Sequence, residues 1–161
     1  MSRYKQLGSA LAAVRRHNAN EHAQVAQLAS ELVRAVCVDF DITDPTGHIH
    51  AGRIEGLDDP NLIHTPIPKS PSYRMVLTLM IHDDPPVPGI TPKITPYNLT
   101  FVPRGAAEFD IKILDDAEPI RVRLGDTTSY KLFANAIFDS LMRRLTIDRA
   151  APLRGPMPDV N

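Results

Sequence analysis

From Leu7 the apolar residues recur at Leu11, Val14, Val25, Leu28, Leu32 and Ala35, with Asn18 and Glu21 holding the intervening positions in the same phase. Steps that alternate between four and three trace one stripe along a helix, so residues 3–35 are expected to be helical. At 1.5 Å per residue that is a rod of roughly 50 Å, which overhangs any single core that 161 residues can build. An overhanging helix with an apolar seam seeks a partner helix, and a polar residue at a seam position, here Asn18, fixes register at a cost in stability. Leu7, Leu11, Val14 and Asn18 are therefore candidate docking residues. The alternative for the same segment is a helical hairpin broken at Arg16-His17-Asn18-Ala19-Asn20, with Asn20 capping the second helix.

Beyond residue 35 the period changes. Val36, Val38, Phe40 and Ile42 alternate with Cys37, Asp39 and Asp41, the pattern of a half-buried strand. Asp44-Pro45-Thr46-Gly47 reads as a turn returning the chain through His48 to Ile54, so a first hairpin is expected. Prolines at 60, 66, 68 and 71 make the stretch from Gly56 to Ser72 an irregular connection. Tyr73 to His82 is the most apolar strand, expected to be central and buried on both faces. A second proline-rich connection, Asp83 to Pro96, leads into a strand over Tyr97 to Val102. Phe109, Ile111 and Ile113 then alternate with Glu108, Asp110 and Lys112, and Ile120, Val122 and Leu124 with Arg121 and Arg123, which makes a second hairpin.

A last helix over 126–148 follows, capped by Asp126 or Thr127. Its apolar face is Tyr130, Phe133, Ile137, Phe138, Leu141 and Leu145, and Arg143 and Arg144 suit the negative end of its dipole. Residues 151–161 lack periodicity and read as a flexible tail. The fold class that results is α+β: an antiparallel sheet of five or six strands within residues 36–124, flanked by the long N-terminal helix (or helical hairpin) and the C-terminal helix. Residues 1–150 form one domain, in keeping with their number.

A formal net charge of -1 provides no global field for nucleic acid or anionic membrane, and only local patches are worth seeking. The single cysteine, Cys37, has no partner for an internal disulfide, and the first residues lack the apolar core of a signal peptide. A cytoplasmic location is the expectation. No apolar run is long enough to span a bilayer.

Three constellations bear on chemistry. On the first hairpin, cross-strand pairing would place Asp39, Asp41, His48 and His50 on one face. Two imidazoles and a carboxylate are a ligand set for a divalent transition metal, with His82 and Asp83 as further candidates if they lie nearby. On the second hairpin Lys112, Arg121 and Arg123, with Arg104, form a basic stripe able to grip phosphate. It lacks exposed aromatics for base stacking and is diluted by Glu108 and Asp110, so nucleic acid is the lesser reading of it. Cys37 paired with His48 or His50 as a nucleophile is a third, set against the commoner fate of a lone cysteine as a small buried residue.

Glycine-rich phosphate loops and nucleophile elbows are absent from the sequence. The conspicuous features are surfaces: the seam of the first helix and proline-rich segments such as Thr65-Pro66-Ile67-Pro68 and Pro85-Pro86-Val87-Pro88, which cost little entropy to order on a partner. The expected function is thus a non-enzymatic interaction module, a subunit or adaptor that self-associates or docks on a protein partner. The alternative is a small metal-dependent hydrolase built on His48 and His50.

Overall fold

A computed structural model of the chain describes residues 2–57, 72–113 and 118–153. The elements run α1 (Arg3–Asp39), β1 (Ile49–Ala51), β2 (Tyr73–Ile81), β3 (Lys93–Gly105), β4 (Glu108–Lys112), β5 (Ile120–Arg123) and α2 (Thr127–Leu153). The strands form one sheet in sequential order β1-β2-β3-β4-β5, antiparallel throughout. This is the α+β architecture that the two periodicities require.

α1 is one unbroken helix of 37 residues, about 55 Å long at 1.5 Å per residue. The hairpin alternative is excluded, since Arg16 to Asn20 are helical. Ser2 caps the start, its hydroxyl accepting from the Lys5 N–H at 3.3 Å. At the other end the helix continues through Val36 and Cys37, so the strand expected over 36–42 is absent. Asp41 takes a left-handed conformation with φ 56. The Asp41 N–H bonds to Val38 O at 3.3 Å and the Ile42 N–H to Cys37 O at 2.8 Å. These are the paired bonds of a Schellman terminus, usually built on glycine; Asp is among the few other residues that tolerate this backbone region.

The turn after it does form, with the His48 N–H on Pro45 O at 3.1 Å and Gly47 at φ 80. It joins the helix to β1, however, and β1 pairs with β2 through Ile49 opposite Leu79 and His50 opposite Thr78. The first hairpin is therefore replaced by a helix end and a short edge strand.

β2 alternates instead of being buried on both faces. Tyr73, Met75, Leu77 and Leu79 point into the core while Arg74 and Val76 are exposed. The central strand is β3, which is staggered: Lys93 to Phe101 pair with β2, and Thr100 to Gly105 with β4. Pro96 and Pro103 lie within it, against the expectation that proline ends at its border. Among the described residues each sits where one neighbour is missing, Pro96 outside the span paired with β4 and Pro103 outside that paired with β2. Pro96 O accepts from the Arg144 side chain at 3.2 Å. A residue's N and C=O face the same flank of a strand, so the missing N–H of Pro96 also faces the open flank, where no ladder bond is lost.

One face of the sheet carries the core. Tyr97, Leu99 and Phe101 of β3, Phe109 and Ile111 of β4 and Val122 of β5 meet Val25, Leu28, Leu32 and Val36 of α1 and Phe133, Ala134, Ile137 and Leu141 of α2, all nearly inaccessible to solvent. α2 starts at Asp126, whose carboxylate accepts from the Thr128 N–H at 3.1 Å. Phe138 stays half exposed, with its ring edge-on to Phe40 at 5.8 Å. Because α2 runs past Arg144, that guanidinium does not serve the helix end: it lies 4.3 Å over the Tyr97 ring. Residues 151–153, expected in the flexible tail, continue α2, while residues 154–161 and most of the first proline-rich connection fall outside the described residues.

Candidate functional site

The core-facing stripe of α1 does not stop where the domain stops. From Val25 onward its seam residues are buried, yet the same phase continues backward through Val14, Leu11 and Leu7, and Val14 and Leu7 are exposed, Leu7 to 69%. Leu11 and Asn18 are half-buried, and Tyr4, one step further along the seam, is 85% exposed. Among the described residues, about the first half of α1 thus projects from the sheet with its apolar side open.

The point of departure is marked by two contacts to β2. Tyr73 OH donates to Glu21 Oε1 at 2.5 Å, and its ring stands at 83° to that of His22 with centroids 5.7 Å apart. Burial, and then the Glu21 carboxylate, push the Tyr73 phenol above its ordinary value. Further along, the Tyr130 hydroxyl donates to Glu31 and accepts the Gly125 N–H at 2.6 Å. That bond holds the Glu31 carboxyl below its usual range, while burial followed by Glu31 raises the phenol to about 12. Two tyrosine–glutamate bonds therefore fasten the inner half of α1, and nothing comparable holds the outer half among the described residues. Beside the second bond, between α1 and the start of α2, lies a cleft of about 510 Å³ lined by Glu31, Arg34, Val38, Asp39, Thr127 and Lys131 among others. Its charges are of both signs.

The second surface is the outer face of the sheet, which no described helix covers. Lys112, Arg121 and Arg123 do share it. Arg121 is not free, however: Asp110, directly opposite it, accepts from Arg121 Nε and from Arg104 Nε, both at 2.6 Å. Asp110 is 5% exposed beneath these two guanidiniums, and the Arg121 hydrogen bond foremost holds its carboxyl below the ordinary value. The stripe is thus partly neutralised from within, and the burial of Asp110 is a feature that sequence reading does not anticipate. Alternation assigns Asp110 to a polar face, and nothing local announces the two arginines from other strands.

The metal constellation does not assemble. Asp39 lies in the last turn of α1 and borders the cleft, Asp41 terminates the helix, and His50 stands on the outer face of β1. His48 does lie beside His82, with ring centroids 5.0 Å apart. His82 Nε2 meets Gly47 O at 2.8 Å and His48 Nδ1 meets Thr46 O at 3.3 Å, so each ring spends a nitrogen on backbone. Among the described residues no three His, Cys, Asp or Glu gather as a metal site. The spacing failed because it presumed a strand where the chain is helical. Cys37 is likewise helical and half-buried, and burial pushes its thiol above the ordinary value, away from the thiolate that nucleophilic attack requires. No described helix is long and apolar enough to cross a membrane.

Comparisons with protein-family models, with curated proteins and with solved structures find no match to this chain.

Proposed function

We propose that this protein is a non-enzymatic interaction module, a subunit or adaptor of a larger assembly, that docks through the projecting half of α1. The observation that carries the reading is the continuity of the seam. A stripe that the domain buries from Val25 onward runs on in phase to Tyr4, exposed at Val14, Leu7 and Tyr4 itself. An isolated helical segment of this length is marginal in water, and a second apolar surface laid along it would stabilise both. The lone, half-buried Cys37 fits a reducing compartment such as the cytoplasm.

Leu11→Asp tests the reading. The variant should keep the thermal stability of the parent while losing the assembly that the parent forms with a second copy or a co-purifying partner, as read by light scattering and affinity capture on the full chain. A parent that stays strictly monomeric at high concentration and retains no partner would overturn it.

A further inference from the structure

The outer half of α1 is chemically one-sided. Between Ser2 and Asn20 the chain carries Arg3, Lys5, Arg15, Arg16 and His17 and no Asp or Glu, although the whole chain has a formal net charge of -1. Arg3, Lys5, Arg15 and Arg16 are all exposed and make no ion pair among the described residues. In the heptad phase set by Leu7, Leu11 and Val14, with Leu11 taken as position a, Arg3 falls at g and Arg15 at e, while His17, also at g, faces Glu21 of the same helix at 3.6 Å. Those are the flanks that lie against a partner helix and select it by charge.

The end of the helix adds to the bias. Its first turn contains no acidic residue, so Arg3 and Lys5 stand at the positive pole of the backbone dipole, where cations are unfavourable. Carboxylates supplied from outside would relieve both. The apolar side is meanwhile a narrow seam of about one large residue per turn, flanked by Gly8, Ala10 and Ala12. It lacks the broad Trp- and Phe-bearing face by which a helix lies in a lipid surface, and it suits a second helix.

We propose that the projecting half of α1 pairs with an acidic amphipathic helix of a different protein, leucine-type side chains in its seam and carboxylates on its flanks. The inference rests on the docking reading above and names the partner's chemistry. A second copy of this chain would bring the same cations and, between Ser2 and Asn20, no carboxylate to offset them.

The test uses the full-length protein and two fluorescent heptad peptides that share leucine seam positions, one with Glu and one with Lys at e and g. The Glu peptide should bind at least about tenfold more tightly than the Lys peptide, and the difference should shrink as salt is raised. In a variant carrying Arg3→Glu, Lys5→Glu and Arg15→Glu the preference should reverse, and Leu11→Asp should abolish binding of both. Circular dichroism of each variant checks that the domain is folded.

Equal binding of the two peptides, or a preference that salt leaves unchanged, would overturn the proposal. So would binding to phosphatidylserine vesicles with neither peptide competing. A homodimer that Leu11→Asp dissolves and neither peptide disturbs would also overturn it, while leaving the docking reading intact. Indifference of every association to Leu11→Asp would remove both.

Discussion

Asp110 shows how a charge on the solvent side of a sheet becomes part of the interior. Each of its oxygens takes a guanidinium Nε at 2.6 Å, from Arg104 on β3 and Arg121 on β5, so one carboxylate ties three strands together on the face opposite the core. Both arginines are more than half exposed, which limits the electrostatic gain, but the carboxylate itself is desolvated and its bonds are charge-assisted. Asp110→Asn should therefore destabilise the domain by about 1–2 kcal/mol in urea titrations. The same substitution should leave Arg104 and Arg121 available to anions, so weak sulfate binding on this face, read by chemical-shift perturbation, should rise.

At the scale of elements, the ends of α1 carry different weights. Leu28→Asp places a carboxylate among Leu32, Val25 and the sheet and should cost about 4 kcal/mol or more, whereas Leu11→Asp, outside the core, should change the thermal midpoint little. Asp41→Gly should raise stability by several tenths of a kcal/mol in the same assay, because glycine holds the φ of 56 at the helix end without strain.

The two hairpin expectations show what sequence can carry. Alternation over Phe109 to Ile113 and Ile120 to Val122 is legible because no helical stripe competes there, and the pairing of Phe109 with Val122 follows. Over Val36 to Ile42 two periods coincide: Val36 and Phe40 are spaced four apart and also alternate. Val36 extends the stripe of Leu28 and Leu32, and tertiary burial decides for the helix. The helical phase shared by Leu7, Leu11, Val14 and Asn18 is legible, since phase survives in sequence. The metal reading was not recoverable, because it depended on a register that the extra helical turn removes.

The whole molecule should show a plateau of stability bounded on both sides by ionisation. Glu31 and Asp110 have lowered folded values, so the stabilisation they give is present at neutral pH. It is lost as the pH falls out of the ordinary carboxylate range and through those lowered values. Tyr130 works in the opposite sense: its phenol is raised from 10.0 to about 12 in the fold, so the unfolded chain releases that proton first and stability declines between those values. Urea midpoints measured across pH should fall at both ends, and Tyr130→Phe should make the alkaline limb shallower, the raised Tyr73 phenol supplying the remainder.

The stagger of β3 has one more result. Among the described residues its first half has a neighbour on one flank only, and a bare flank of that kind is a template on which foreign strands can grow. Pro96 removes a donor from that row at the point where Arg144 already occupies the adjoining oxygen. Pro96→Val would restore the donor, and incubation of that variant should yield time-dependent turbidity that the parent does not develop, making this ring a guard against fibre formation as much as a residue of the sheet.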